Sequence, residues 1–257
     1  MSKKLKERID DYQLITDCKI LPRIPIVICI NGRGFSKTTQ LIDKPFCNIF
    51  SECMLTTALQ LCSNIEGVLF AYQHNDEIIL ITRNEQNNDT DPWYDNKVQK
   101  LCSATSSIAT LFFNKIAQSK QLNLTGDAIF LSQVFGVPTQ AEAINTIIYH
   151  QQQNFYTAVQ SACLYNLLNK YDNNSIRDLL AGLDIDGKID LLSQECGINF
   201  NDYPMAFKRG AAIYKVPKIV DGVMKNKWFV NSELPIFTRD QSFLSNIFRM
   251  GTDIYRG

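Results

Sequence analysis

The chain has 257 residues, 45% of them hydrophobic and 11% aromatic, which is enough for one large core or a core with an appendage and excludes a disordered chain. Lysine plus arginine balances aspartate plus glutamate at 26 each, so there is no global attraction to nucleic acid, and any polyanion has to be met by a local patch. No apolar run is long enough to span a bilayer and the start, MSKKLKERIDDYQLIT, has no apolar leader core, so the expected compartment is the cytoplasm, with no membrane partner.

Residues 25–30 (PIVICI) form a short β-branched run closed by Asn-Gly-Arg-Gly, which reads as a buried strand ending in a turn. From Pro45 on, apolar residues recur at three- and four-residue spacing (Phe46, Ile49, Phe50, Cys53, Met54, Thr57, Leu61), predicting a helix with Pro45 in its first turn. Two apolar runs, 68–72 and 78–82, flank Gln73-His74-Asn75-Asp76-Glu77 and predict a hairpin with a polar, acidic corner. Residues 84–91 read as a polar loop. Asp91 as N-cap and Pro92 at the first position then open a long helix to about Ala117, and Trp93 and Tyr94 at its start could anchor it or stack on a base.

Residues 129–137 predict a strand ended by Pro138, residues 140–170 one or two helices, and residues 175–182 and 188–197 shorter ones. Beyond residue 215, strand-like and loop segments alternate. Strand, helix, hairpin, helix, strand is the order of a palm-like, ferredoxin-type α+β core: an antiparallel sheet with helices packed on one face, here followed by a helical or irregular C-terminal portion. The expected division is 1–215 for the core and 216–257 for an extension without an assigned role. Late in the chain, Lys208, Arg209, Lys215, Lys218, Lys225 and Lys227 stand against a lone acid, Asp221, and read as a basic patch or as a solvated surface. The eight cysteines form no C-x-x-C pair and are expected as reduced core side chains. With His74 and His150 the only histidines, no zinc site is expected.

The predicted topology brings the exit of the first strand beside the hairpin corner, so Asn31 and Asp76 are expected to face one bound cation. Phosphoryl and nucleotidyl transfer rest on positioning and charge neutralisation, commonly by magnesium ions on carboxylates. Asp76 and Glu77 supply carboxylates, and Gly32, Arg33, Gly34, Phe35, Ser36 and Lys37 supply backbone N–H groups and two cations for a triphosphate, with Lys44 a third. Each feature alone also fits an ordinary solvated turn.

The ordered succession ICINGRGFSK, DKPF, AYQHNDEIILI, FLSQVFGVP, YHQQQN and GINFNDYPMAFKRGA resembles the tRNA-histidine guanylyltransferase family, in particular its bacterial-type, guanylyltransferase-like branch of 3′-to-5′ polymerases. The resemblance covers roughly residues 20–215. It implies a nucleotidyltransferase that adds nucleotides to tRNA 5′ ends, with ATP or GTP as substrates, two magnesium ions, tRNA as partner and a homodimer or homotetramer. Carried over residue by residue, it makes Asp76 and Glu77 catalytic and Asn31, Gly32 and Asp76 the metal ligands. Arg33, Gly34, Phe35, Ser36, Lys37, Lys44 and Asn75 become nucleotide contacts, and His150, Lys208 and Arg209 tRNA contacts. Several positions depart from the family's pattern. Asn31, Leu131 and Cys47 replace aspartates, Gln133 an arginine and Asn75 a serine. Phe155-Tyr156-Thr157-Ala158 stands where the histidine-specific enzymes have H-I-N-N. The expected activity is therefore 5′-end repair rather than strict addition of guanosine to histidine tRNA. The alternative is a catalytically degenerate member that binds tRNA, nucleotide or protein.

Overall fold

The computed structural model describes residues 4–83, 91–220 and 222–253; the loop expected at 84–91 lies almost wholly outside them. Along the chain, α1 (Leu5–Leu14) precedes β1 (Ile26–Gly32), the one-turn α2 (Phe35–Thr38), α3 (Asn48–Asn64), β2 (Val68–His74), β3 (Glu77–Thr82), α4 (Val98–Ser119) and β4 (Phe130–Gly136). Then follow α5 (Gln140–Leu167), α6 (Asn173–Leu180), α7 (Ile185–Cys196), α8 (Met205–Arg209), β5 (Ala211–Val220), β6 (Val223–Asn231) and α9 (Gln241–Asp253). All described strands join one antiparallel sheet in the order β4-β1-β3-β2-β5-β6, whose first four strands form the palm-like, ferredoxin-type sheet expected from the sequence.

The sheet is covered on both faces, and the strand sequences say why. Along β1, Ile26, Ile28 and Ile30 enter one core with α3 and α4, while Val27 and Cys29 enter a second. β3 reads Ile78-Ile79-Leu80-Ile81 without a polar break because both of its sides are buried. The expectation of helices on one face holds for α3 and α4 alone. The opposite face is closed by the first half of α5 and by α9, through Ala143, Ile147, Leu244, Ile247 and Phe248. A third cluster joins the far half of α5 to α6, α7 and α8.

Three boundaries differ from the sequence expectation. Pro45 is not in a helix: Phe46 turns onto Phe207 at 5.4 Å between centroids, and α3 begins only after an extended Cys47. Asp91 does not cap α4. Tyr94, Asp95 and Asn96 take left-handed backbone angles, an isolated bridge pairs Lys19 with Lys97, and the helix starts at Val98. Trp93 packs on the first core, as an anchor does, whereas Tyr94 is exposed. Residues 140–167 form one uninterrupted helix, capped by the Thr139 hydroxyl, which accepts from the Glu142 N–H at 3.2 Å. All eight cysteines are free, and burial pushes the Cys29 thiol up to about 12.

The division at 215/216 falls inside β5, and the residues after it complete the sheet and one core. Buried Gln151 ties this end down. Its Oε1 accepts from the Phe237 N–H at 2.8 Å and its Nε2 donates to the Pro235 carbonyl at 3.0 Å. Gly210, which leads into β5, has φ +78°, and a Cβ there would lie 2.6 Å from the Tyr72 ring and 2.7 Å from the Gln73 carbonyl oxygen, so only glycine fits. Gln151→Ala strands a buried N–H and a buried carbonyl and is expected to cost about 2 kcal/mol or more in a urea unfolding titration. A loss below about 0.5 kcal/mol would show that the 235–237 segment is not held by this amide.

Candidate functional site

Asn31 pairs with Glu77 across β1 and β3, and one residue further on the Gly32 N–H donates to the Asp76 carbonyl at 3.2 Å. The exit of the first strand and the hairpin corner, 44 positions apart in sequence, are thus joined by backbone alone. The corner is tighter than the five polar residues expected. His74 pairs with Glu77, so the turn is Asn75-Asp76, with Asn75 left-handed at φ 49°, a conformation asparagine tolerates. Gln73 and His74 are buried strand residues. In the preceding turn, a Cβ on Gly32 would lie 2.2 Å from the Phe35 ring. Glycine lets Phe35 fold back into a ring cluster with Phe50, Phe113 and Phe130, so Phe35 anchors the turn as well as lining the site.

A cavity of about 280 Å³ opens beside this corner. α2 gives it Phe35, Ser36 and, at its end, Thr39; the following loop gives Asp43, Lys44 and Cys47; the hairpin gives His74, Asn75 and Asp76; and α5 and α8 give Ser161, Tyr165 and Phe207. Five expected nucleotide or metal residues meet here: Phe35, Ser36, Lys44, Asn75 and Asp76. Burial, with the charge of neighbouring Glu77, holds the Asp76 carboxyl above its ordinary value. The Asn75 amide donates to its Oδ1 at 3.1 Å, and no described cation forms an ion pair with it. Burial lowers the Lys44 ammonium, which donates to the Thr39 hydroxyl at 3.1 Å and stands 5.7 Å from the centre of the Tyr165 ring. A cation and aromatic walls in one cavity suit a polyphosphate with an attached ring, and a carboxylate beside them suits a divalent cation that bridges it to phosphate oxygens.

His74 is not the surface histidine of a turn. It is 3% exposed, its Nε2 lies 2.7 Å from the Phe207 carbonyl, and burial holds its pKa down, so it is neutral with Nε2 as donor. Among the described residues Nδ1 has no partner.

Of the other expected residues, Asn31, exposed at the end of β1, and Gly32 adjoin the corner without lining the cavity, and the rest lie elsewhere. Glu77 faces α5, where its Oε2 meets His150 Nδ1 at 3.2 Å and accepts from the Asn154 amide at 3.0 Å. His150, expected at tRNA, therefore holds a carboxylate. Burial pushes the Glu77 carboxyl up, but the hydrogen bond and charge of His150 and the Asn154 amide more than offset this, leaving it below its ordinary value. The Arg33 N–H donates to the Ile129 carbonyl at 2.7 Å, and Lys37 is exposed outside the cavity, its carbonyl accepting from the Thr125 hydroxyl. Lys208 and Arg209, also expected at tRNA, serve the fold. Lys208 is buried and its ammonium donates to the Asn201 carbonyl, while the Arg209 guanidinium donates to the Leu234 carbonyl at 3.1 Å. Among the described residues no group of three or more His, Cys, Asp or Glu side chains converges as a metal cage.

Thr39, Ser161, Tyr165 and Phe207 escaped the sequence reading. Ser161 and Tyr165 are four apart on α5 and so share a face, which is the one signal that marks them together. The Glu77 carboxyl titrates below its ordinary 4.5, so its contribution to stability is complete above about pH 4.5 and disappears as pH falls through the folded-state value. Glu77→Gln is expected to flatten the acid limb of a stability-against-pH curve measured by denaturant unfolding; an unchanged limb would mean that His150 and Asn154 do not hold the ionised form.

A family model described as tRNAHis guanylyltransferase (Thg1) matches residues 6–138, just over half of the chain. The tRNA(His) guanylyltransferase 1 of Arabidopsis thaliana is 23% identical over 216 residues, which are 81% of this chain and 37% of that protein, so the chain spans little more than a third of that relative. A bacterial tRNA(His) guanylyltransferase (Thg1)-like protein solved in complex with ATP superposes with a TM-score of 0.81 at 26% identity, covering 95% of this chain and 99% of the other. A second such bacterial structure, in complex with GTP, gives 0.76 at 25% identity over the same shares. With its sheet order, its corner-and-turn pairing and a family match over half its length, this chain belongs to the tRNAHis guanylyltransferase family.

Proposed function

We propose that the chain is a tRNA 5′-end nucleotidyltransferase that binds ATP or GTP in the 280 Å³ cavity and extends the RNA in the 3′-to-5′ direction. The observation that carries this reading is the meeting of Asp76 and Lys44 in one cavity beside a corner fixed by the Gly32–Asp76 bond. The bacterial relatives in complex with ATP and GTP support it.

In this reading Lys44 takes phosphate oxygens, Ser36 and Asn75 donate to them, and Phe35, Phe207 and Tyr165 exclude water around the base. The half-buried, under-compensated Asp76 carboxylate fits a hard divalent cation, and magnesium would be held by Asp76 with the Asn31 amide oxygen and the Gly32 carbonyl. When bound, the ion neutralises phosphate charge. A second ion, expected from the resemblance, would have to draw on Glu77 through Oε1, because Oε2 is engaged by α5. Without the histidine-specific H-I-N-N stretch, repair of truncated 5′ ends is the activity proposed.

The test is extension of a 5′-truncated tRNA transcript with labelled nucleoside triphosphates and magnesium. Asp76→Asn is expected to lower turnover about 100-fold or more. It should also raise the unfolding midpoint at pH 7, because a charge that burial opposes is removed. Lys44→Ala should weaken ATP binding about tenfold, the scale of one charge-assisted hydrogen bond. Two observations favour a second reading, a module that binds without catalysis: Asn31 is neutral and Glu77 is committed to α5. ATP binding without extension, in both the wild type and Asn31→Asp, would select it.

A further inference from the structure

His74 carries a hydrogen-bonding atom that neither the fold nor the proposed activity uses. It ends β2, where it pairs with Glu77 and is 3% exposed, and it shares the cavity wall with Phe207 of α8. The ring's Nε2 lies 2.7 Å from the Phe207 carbonyl. A carbonyl only accepts, so Nε2 holds the proton, and Nδ1 of the neutral ring is left with a lone pair and no N–H. The two nitrogens diverge around the ring, which turns Nδ1 away from that carbonyl. Among the described residues nothing donates to it. A buried acceptor without a donor costs free energy that a donor would recover.

The neighbouring amides and the cavity's ammonium are directed elsewhere. The Gln73 amide donates to the Asn75 carbonyl at 2.9 Å, the Asn75 amide to Asp76 Oδ1 at 3.1 Å, and the Lys44 ammonium to the Thr39 hydroxyl at 3.1 Å. A metal ion is a poor partner as well. Magnesium takes hard oxygen ligands, and among the described residues no three His, Cys, Asp or Glu side chains converge as a cage. The donor that suits Nδ1 is then one carried by what fills the cavity.

In a nucleoside triphosphate the two ends differ in this respect. The ionised phosphates present oxygens alone, and an oxygen facing the Nδ1 lone pair is repelled. The nucleoside carries the N–H groups of its base and the O–H groups of its ribose. Phe207, to which Nε2 is tied, is among the rings assigned to the base, so the nucleoside is the end that reaches His74. We infer that His74 Nδ1 accepts a hydrogen bond from an N–H or O–H of the bound nucleoside and decides which nucleotides the cavity admits. This rests on the reading that the cavity binds a nucleoside triphosphate. A wall that buries an acceptor rejects an analogue lacking the donor more strongly than an apolar wall does, because the acceptor is left unpaired.

The experiment measures equilibrium binding to the full chain, with magnesium and without RNA. The ligands are ATP and its analogues lacking the 6-amino group, the 2′-hydroxyl or the 3′-hydroxyl. GTP is set beside inosine triphosphate for the guanine amino group, and inorganic triphosphate is the control. One analogue should bind about tenfold more weakly than its parent, and which one it is separates a base N–H from a ribose O–H. His74→Gln keeps an amide N–H in the place of Nε2–H and removes the acceptor at Nδ1. It should bind the parent nucleotide about tenfold more weakly and the weak analogue as the wild type does. Binding of inorganic triphosphate and the unfolding midpoint should stay unchanged. A wild type that holds every analogue within about twofold of its parent overturns the proposal and leaves the cavity reading intact, whether or not the variant folds. A penalty of equal size in wild type and His74→Gln means that another group meets the donor, and the proposal fails. It fails too if His74→Gln weakens inorganic triphosphate as much as ATP, since the ring then serves the phosphates or the shape of the cavity. A wild type that binds neither ATP nor GTP sinks the cavity reading and this inference with it.

Discussion

The bond from the Gly32 N–H to the Asp76 carbonyl is the contact on which the site depends. It continues the β1–β3 ladder by one step past its last paired side chains, so the turn after β1 and the corner after β2 cannot separate without unzipping the centre of the sheet. Both partners are backbone, which makes the closure insensitive to which side chains stand at Asn31 or Asp76. A family can therefore exchange an aspartate for an asparagine here and keep the shape of the site. The phenylalanine cluster beneath it works the same way: Phe35 needs the bare Gly32, and its neighbours Phe50, Phe113 and Phe130 come from α3, α4 and β4.

Asp76 and Glu77 show how a single step along the chain separates two carboxylates that look alike. Asp76 sits in the turn, lines the cavity and is pushed toward the neutral form by burial. Glu77 is the first strand residue, faces α5, and is held ionised by His150 and Asn154. The polar residues of the YHQQQN stretch are likewise divided by helix geometry. His150 and Asn154, four apart, serve the carboxylate, while Gln151 secures the end of the chain to the sheet. The alternative of a degenerate member gains its force from this division, since one acid of the pair is already spoken for.

The basic residues separate in the same manner. Lys208 and Arg209 are consumed by backbone carbonyls at the α8–β5 junction, whereas Lys218, Lys225 and Lys227 form no such bonds among the described residues and face water. The basic stretch is thus part fold and part surface: the two residues that end α8 are used by carbonyls, and the three on the β5–β6 ribbon are exposed.

Much was legible in the sequence. Continuous apolar runs marked β1, β2 and β3, alternation marked β4, and three- and four-residue spacing marked α3, because burial on one or both faces of a strand or on one face of a helix leaves that signature locally. The Asn-Gly-Arg-Gly turn and the acidic corner could be paired in advance because the topology leaves them no other place. The start of α4 was hidden, since three left-handed residues and a bridge to Lys19 override the capping signal of Asp91. So was the role of α9, whose apolar face acquires meaning only when the sheet presents a second uncovered side. The sequence by itself determined which segments bury which residues, since that is set by neighbours within a turn or a strand. Only the tertiary structure decided that Glu77 belongs to His150 and that Lys44 and Tyr165 share Asp76's cavity, because burial and partner choice at those positions come from residues 73 and 121 places away.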